Sequence, residues 1–198
     1  SFNASDEENN QIYFSVASFL HTPALLKMNL STYQLDVEYA AKVNYESQDL
    51  EITKHSFKSG DVTVPLLLMH KKGIKLDGNN PVLIEVYGGF GISMTPHFDP
   101  SKIMFIENGG IYAYPMIRGG GELGLQWEYA GKKLNKINSI NDIKNCAIYL
   151  TEKNFSNPSK IAVTGGSQGG LMAAAAAVLF PTYFKVAIPV VGVHDMVH

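Results

Sequence analysis

The fold is decided by the stretch Lys160-Ile161-Ala162-Val163-Thr164-Gly165-Gly166-Ser167-Gln168-Gly169-Gly170, which leads into an alanine-rich run ending at Leu179. Its first five residues have the length and β-branched content of a buried strand, and the run after the glycines has a helix-forming composition. A Gly-x-Ser-x-Gly turn between a strand and a helix is typical of a nucleophile elbow, in which a reactive serine stands on a sharp turn. The alternative is a glycine-rich connection without chemistry.

The composition is that of a globular protein, because 45% of the 198 residues are hydrophobic and 17% are charged. A net charge of −2 gives no electrostatic reason to expect nucleic acid or an anionic membrane as a partner. No apolar stretch is long enough to cross a bilayer, and residues 1–11 do not resemble a signal peptide, so a cytoplasmic location is expected. The single cysteine, Cys146, is expected to be a packed thiol. No cofactor is expected, and no cluster has metal-ligand spacing.

The pattern of elements changes along the chain. Residues 12–19 and 24–30 read as a β-hairpin, 31–48 are hard to assign, and 50–57 and 62–70 suggest two more strands. After a loop at 73–81, strands at 82–87, 110–117, 160–164 and 185–191 accompany helices at 139–153 and 169–179, the first of which has Ser139 and Asp142 in a capping-box pattern. Buried strands that alternate with helices predict a mostly parallel α/β sheet. The expected division is residues 1–50, all β, and residues 51–198, α/β.

Three of the predicted strands end in glycine-rich or reactive sequence. In a parallel sheet the carboxyl ends of the strands lie at one edge, which is where ligands bind. These ends are Tyr87-Gly88-Gly89-Phe90-Gly91, residues 118–124 and the Ser167 turn. The backbone N–H of Gln168 is one predicted oxyanion donor. The Tyr87 phenol is a second candidate, with a purely packing role as its alternative.

A competing interpretation of the second loop is a nucleotide site. Gly119-x-Gly121-x-x-Gly124 matches the dinucleotide fingerprint, with Asp142 at about the position of a ribose-binding acid. The match is weak because residues 126–131 do not look like the start of a helix.

The groups that would activate the serine are missing from this pattern. A serine hydroxyl needs a histidine to accept its proton and a carboxylate to orient that histidine. After Ser167 only His194, Asp195 and His198 remain, and the close spacing of Asp195 and His198 disfavours them as such a pair. For His21, His55, His70 and His97, surface or structural roles are expected.

Taken together, these motifs resemble the prolyl oligopeptidase family of serine peptidases. The resemblance extends from about residue 12 to the C-terminus and rests on five stretches in the family's order: residues 67–78, Tyr87-Gly88-Gly89-Phe90, Ile117-Arg118-Gly119-Gly120-Gly121-Glu122, Gly165-Gly166-Ser167-Gln168-Gly169-Gly170 and Val191-Gly192-Val193-His194-Asp195-Met196. It implies an α/β-hydrolase fold, here the first half of its sheet, preceded by the end of a β-propeller. It also implies cleavage of short peptides after proline through an acyl-enzyme.

The resemblance assigns roles residue by residue. Ser167 would be the nucleophile, and Tyr87 and the N–H of Gln168 would form the oxyanion hole. Phe90 and Val193 would line the pocket for the residue before the scissile bond, and the loop at 118–122 would be structural. Gln168 stands where the family usually has asparagine, which leaves the backbone donor unchanged.

The family's catalytic aspartate and histidine are expected beyond residue 198, so the chain reads as a fragment that is inactive alone. Two alternatives stay open: basic specificity within the same family, and a catalytically inert binding module. Short proline-containing peptides are the expected partners, and self-association through an exposed sheet edge is also expected.

Overall fold

The computed structural model describes residues 2–43, 45 and 47–195. It divides into two compact units, Ser1–Asp49 with Thr95–Ile103, and Leu50–Met94 with Met104–His198. None of the helices in the described ranges is both long and apolar enough to span a membrane.

The first unit contains a four-stranded antiparallel sheet in which neighbours in sequence are neighbours in space. Its strands are β1 (Phe2–Asp6), β2 (Gln11–Val16), β3 (Ala24–Asn29) and β4 (Leu35–Ala40). The predicted hairpin is confirmed as β2 and β3, with Ile12 opposite Met28 and Val16 opposite Ala24. Strands β1 and β4 were not predicted from the sequence. In β4, apolar Leu35, Val37 and Tyr39 alternate with Asp36 and Glu38, which is a strand signal that the sequence reasoning overlooked, and every residue of the strand is exposed.

The second unit is built on a six-stranded mixed sheet, in the order β10-β9-β7-β8-β6-β5. Its strands are β5 (Leu50–Ser59), β6 (Val62–Lys71), β7 (Val82–Glu85), β8 (Ile111–Pro115), β9 (Ile161–Gly166) and β10 (Val186–Val190). Strands β7 to β10 run parallel, and β5 and β6 are antiparallel additions beside β8. The carboxyl ends of four parallel strands therefore lie at one edge.

The part of the chain that the structure describes has four helices in the connections between these strands: α1 (Pro100–Glu107), α2 (Leu125–Tyr129), α3 (Lys136–Glu152) and α4 (Gln168–Leu179). Short 3-10 turns lie at Ser47–Asp49, Lys133–Asn135 and Pro158–Lys160. Helices α1 and α2 were not predicted. The expectation that residues 126–131 do not look like the start of a helix is wrong, since α2 begins directly after Gly124. At α1, Asp99 accepts a hydrogen bond from the Ser101 N–H at 2.8 Å and Pro100 follows it, which is a helix start signal.

Helix α3 begins three residues before the predicted start, so the capping-box interpretation of Ser139 and Asp142 is wrong. Both residues lie inside the helix and are fully buried. Their side chains bond to Arg118 instead of capping their own helix.

The core lies between the sheet and its helices, where Leu66, Ile84, Ile111 and Ile161 are completely buried. The edge strand β10 differs from the predicted buried strand: Val186, Ile188 and Val190 remain about half exposed. Among the described residues it is hydrogen-bonded to a strand on one side only, by β9. Self-association through this edge stays a prediction.

Candidate active site

The backbone of Ser167 has the sharp geometry of an elbow between β9 and α4. Its dihedral angles are φ 53° and ψ −117°, a region that residues with a side chain rarely adopt. Its N–H donates to the Val190 carbonyl at 2.9 Å, and its own carbonyl accepts from the Gly170 N–H at 2.9 Å. The side chain is exposed at the carboxyl edge of the sheet. The turn thus presents a hydroxyl to solvent from a rigidly held backbone.

The two glycines of the Gly-x-Ser-x-Gly pattern are required because a side chain at either position would clash with neighbouring backbone atoms. A Cβ atom on Gly169 would lie 2.2 Å from the Val86 carbonyl oxygen, and one on Gly165 would lie 2.4 Å from the same atom. By contrast, a Cβ atom on Gly166 would meet nothing within 4 Å. Helix α4 therefore packs directly against the backbone at the end of β7, and this packing aims the serine.

The loop after β7 lies against the elbow. The Cα atom of Tyr87 is 3.3 Å from the position a Cβ on Gly169 would take, and a Cβ on Gly89 would lie 2.4 Å from Cγ of Gln168. The structure thus brings together Tyr87, Gln168 and Ser167, the three residues that the sequence predicts for nucleophile and oxyanion hole. The buried side chain of Gln168 forms the contact between the loop and the elbow.

The two predicted pocket residues are exposed apolar side chains near the same edge. Phe90 has a left-handed backbone (φ 57°) and is 75% exposed. Val193 follows β10 and is 43% exposed. Nearby, Gly192 packs against helix α4, since a Cβ on Gly170 would lie 2.8 Å from its Cα.

No histidine within the described residues hydrogen-bonds to Ser167. The ring of His194 lies over Gly192, with its Nε2 atom 2.3 Å from where a Cβ on that glycine would stand. His198 lies outside the described residues, so the disfavoured pair of Asp195 and His198 is not described either.

Of the earlier histidines, His55 and His70 take structural positions, and His21 and His97 are exposed. Thr53 Oγ1 lies 3.1 Å from His70 Nε2 and 2.9 Å from His55 Nε2, and the other nitrogen of His55 lies 3.1 Å from the Tyr149 hydroxyl. Desolvation lowers the pKa of His55. Cys146 is fully buried, and burial raises the pKa of its thiol, which keeps it protonated and unreactive.

The glycine loop after β8 is held by a buried ion pair. The Arg118 guanidinium donates to Asp142 Oδ1 at 2.6 Å and to Ser59 Oγ at 3.2 Å, and the backbone N–H of Arg118 donates to Asp142 Oδ2 at 2.9 Å. Ser139 Oγ donates to the Arg118 carbonyl at 2.6 Å. Because Asp142 is completely buried in this network, it is not free to bind a ribose, and the nucleotide-site alternative loses its acid.

Sequence reasoning did not single out Lys136, the first residue of α3. Its ammonium donates to the Gly88 carbonyl at 2.8 Å, in the loop that carries Tyr87. Burial lowers the pKa of this lysine. A lone lysine at a helix start belongs to no sequence motif, so only the folded chain reveals the contact.

Within the described ranges, no group of three or more His, Cys, Asp or Glu side chains is arranged to hold a metal ion.

Comparison with known families agrees with this architecture. The family model described as "Prolyl oligopeptidase family" matches residues 96–198, just over half of the chain. The chain belongs to the prolyl oligopeptidase family. This is a family of serine peptidases.

Individual relatives are similar over nearly the whole chain. Prolyl endopeptidase of Elizabethkingia meningoseptica is 37% identical over 192 residues, which are 96% of this chain and 27% of the relative. A prolyl endopeptidase-like protein of Gallus gallus is 36% identical over 86% of this chain and 23% of its own length. The chain thus spans about a quarter of the length of the curated relatives it matches.

Solved structures give the same picture. One from a study of two prolyl endopeptidases superposes with a TM-score of 0.91 at 31% identity, over 98% of this chain and 29% of that chain. Prolyl oligopeptidase B from Galerina marginata, bound to a 35mer hydrolysis and macrocyclization substrate, gives a TM-score of 0.90 at 28% identity, over 99% of this chain and 29% of its own. The predicted fold class is confirmed: part of an α/β-hydrolase sheet preceded by an all-β segment that resembles the end of a β-propeller. These comparisons do not favour basic specificity or an inert binding module.

Proposed function

We propose that this chain supplies the nucleophile and oxyanion hole of a serine peptidase that cleaves short peptides on the carboxyl side of proline. The observation that carries the proposal is the strained, exposed backbone of Ser167 at the end of β9. A non-glycine residue held at a positive φ at a sheet edge costs stability, and such strain is concentrated at functional sites. The proline preference is supported by the names of the relatives.

In the proposed mechanism, Ser167 Oγ attacks the carbonyl carbon of the peptide bond after proline. A base accepts the hydroxyl proton as the new C–O bond forms. The oxyanion accepts hydrogen bonds from the Gln168 N–H and the Tyr87 hydroxyl, each donor being worth about 3 kcal/mol. Collapse of this intermediate breaks the C–N bond as the base passes the proton to the leaving amine. Water then hydrolyses the acyl-enzyme, which releases the acid and restores the Ser167 hydroxyl.

Phe90 and Val193 are proposed to line the pocket for the proline ring. Both side chains are apolar and substantially exposed, as expected of residues that contact an apolar ligand rather than pack in the core.

We also propose the domain division 1–50 and 51–198, in which the first part is the propeller tail and the second part is hydrolase. The boundary of the compact units between Asp49 and Leu50 supports this division, whereas Thr95–Ile103 groups with the first unit and departs from it.

The chain alone is proposed to turn over substrate negligibly, because Ser167 has no histidine partner among the described residues. An elbow and an oxyanion hole without a base still retain a rate advantage over water of roughly a thousandfold. A slow covalent reaction with a fluorophosphonate therefore remains measurable where peptide turnover is not.

The test is labelling of the purified chain with a fluorophosphonate, followed by mass-spectrometric identification of the modified residue. We expect modification at Ser167, slowed by a peptide aldehyde ending in proline and much less by one ending in lysine. Ser159→Ala is the matched control, since Ser159 lies before the opposite end of β9. Labelling that persists in Ser167→Ala, or that is absent from the unaltered chain, overturns the nucleophile assignment. Rapid hydrolysis of a chromogenic proline peptide contradicts the claim of negligible turnover.

A further inference from the structure

Lys136 is a half-buried cation whose one described hydrogen bond reaches across the chain to the glycine loop. Its Nζ atom donates to the Gly88 carbonyl, 48 residues away in sequence, at 2.8 Å. No carboxylate within the described ranges forms an ion pair with it. Burying an ammonium without an acidic partner costs stability. The structural contribution of Lys136 therefore lies in the Gly88 carbonyl that its hydrogen bond fixes.

The bonded peptide plane is also confined on its other sides. Gly88 has a φ of 63°, and a Cβ there would lie 2.5 Å from Cδ1 of Ile117. A Cβ on Gly119 would lie 2.4 Å from the same Gly88 carbonyl oxygen that Lys136 binds. The loop therefore approaches the Gly119 backbone too closely for side chains, and the ammonium fixes the direction of its carbonyl.

The residues that follow Gly88 connect its carbonyl to the elbow and to the Gly119 loop. Gly89 packs on the side chain of Gln168, the Gly91 N–H donates to the Gly119 carbonyl at 3.1 Å, and the Ile92 N–H donates to the Gly89 carbonyl at 3.0 Å. The Gly88 carbonyl belongs to the peptide unit that joins Gly88 to Gly89, and Tyr87 directly precedes Gly88. A rotation of this unit would change ψ of Gly88 and φ of Gly89, and would therefore change the placement of Tyr87 relative to Gly89, which packs on the elbow.

We propose that Lys136 is a positioning residue, which sets the Tyr87–Phe90 loop against the nucleophile elbow through the Gly88 carbonyl. The catalytic consequence rests on the proposed function, because it assigns Tyr87 to the oxyanion hole. The structural part, an ordered loop that depends on one lysine, stands without it.

The experiment compares hydrogen–deuterium exchange of the purified chain with that of Lys136→Met, which keeps the stem and removes the donor. We expect exchange of the Gly91 and Ile92 amides to rise by about tenfold or more, the effect of losing one charged hydrogen bond. The β9 amides should be unchanged. Lys144→Met is the matched control on the same helix, since Lys144 lies over the Phe180 ring and not on the loop.

Rescue separates positioning from general stabilisation. Lys136→Arg keeps the charge and several donors and is expected to restore most of the protection at Gly91 and Ile92. Unchanged exchange at these two amides in Lys136→Met, or an equal rise throughout β9, overturns the proposal. If Lys136→Met does not fold, Lys136→Leu, which also removes the donor, provides the same comparison.

Fluorophosphonate labelling of Ser167 supplies the functional readout. We expect it to slow by about tenfold in Lys136→Met and to be unchanged in Lys144→Met, in line with the loss of one oxyanion donor's alignment. An unaltered chain that is not labelled at all overturns the proposed function, and the exchange comparison then decides the role of Lys136 by itself.

Discussion

Two glycine-rich turns meet at the carboxyl edge of the sheet, and they are stabilised in opposite ways. The turn after β8 is fixed by a buried ion pair, in which Arg118 and Asp142 join the loop to helix α3. Among the described residues, no side-chain hydrogen bond is made by the serine of the turn after β9, and this turn is held by backbone packing at Gly165 and Gly169. The difference indicates a division of roles: the first turn holds the edge rigid, and the second leaves a hydroxyl unengaged.

The largest effect is expected from breaking the ion pair with Asp142→Ala. Removing the carboxylate leaves the Arg118 guanidinium buried and uncompensated, which costs about 3–5 kcal/mol of the free energy of unfolding. Urea denaturation followed by far-ultraviolet circular dichroism measures this loss. Trp127 is the chain's single tryptophan, and its backbone carbonyl accepts from the Gly119 N–H at 3.0 Å, so its fluorescence reports locally on the same loop.

Asp61→Ala is the control for this prediction, since Asp61 is exposed in the nearby β5–β6 turn and is expected to change stability by less than about 0.5 kcal/mol. A loss in Asp142→Ala no larger than in Asp61→Ala contradicts the structural role of the Arg118 loop.

A smaller effect is expected from adding one methyl group to the second turn with Gly169→Ala. The new Cβ would lie 2.2 Å from the Val86 carbonyl oxygen, a backbone atom that cannot move aside as a flexible side chain would. Overpacking of this kind costs about 2–3 kcal/mol, which exceeds the roughly 1 kcal/mol gained by replacing glycine with alanine in a helix.

Gly166→Ala is the matched control, three residues away in the same turn. Its Cβ meets nothing within 4 Å, and neither glycine has a positive φ, so the two variants differ in space and not in permitted backbone conformation. Denaturant unfolding of both chains is the measurement. Similar losses would show that conformation rather than close packing requires the Gly-x-Ser-x-Gly pattern here.

The sequence predicted the second turn well and the first turn poorly, for a physical reason. The elbow is local: strand, glycines, serine and helix follow one another within 20 residues, and each has its own compositional signal. The Arg118 network is not local, because its acid lies 24 residues further along the chain. Ser139 and Asp142 therefore resembled a helix cap, a local pattern, although their partner is a distant loop.

The same distinction explains the other differences. The predicted strand β10 is present, but its exposure depends on which strands flank it, and that is not encoded in its own five residues. The contact of Lys136 with Gly88 joins two positions without motifs and was not foreseen. The start of α1 carried a local signal at Asp99 and Pro100 that the sequence reasoning overlooked.

The smallest effect, and the sharpest test of the division of roles, is expected from Ser167→Gly. Glycine adopts a positive φ without steric cost, so the substitution releases strain worth about 1–3 kcal/mol and gives back roughly 0.5–1 kcal/mol in chain entropy. We expect a net gain of about 1 kcal/mol in the free energy of unfolding, with loss of all fluorophosphonate labelling at this position. Ser167→Ala is the control, because it removes the hydroxyl but keeps the strained backbone, and its stability should stay within about 0.5 kcal/mol of the unaltered chain. A stabilised glycine variant beside an unchanged alanine variant assigns the cost to the elbow's backbone rather than to its hydroxyl. If neither variant is more stable than the unaltered chain, the serine's geometry carries no cost, and the contrast with the Arg118 turn, which contributes stability, disappears.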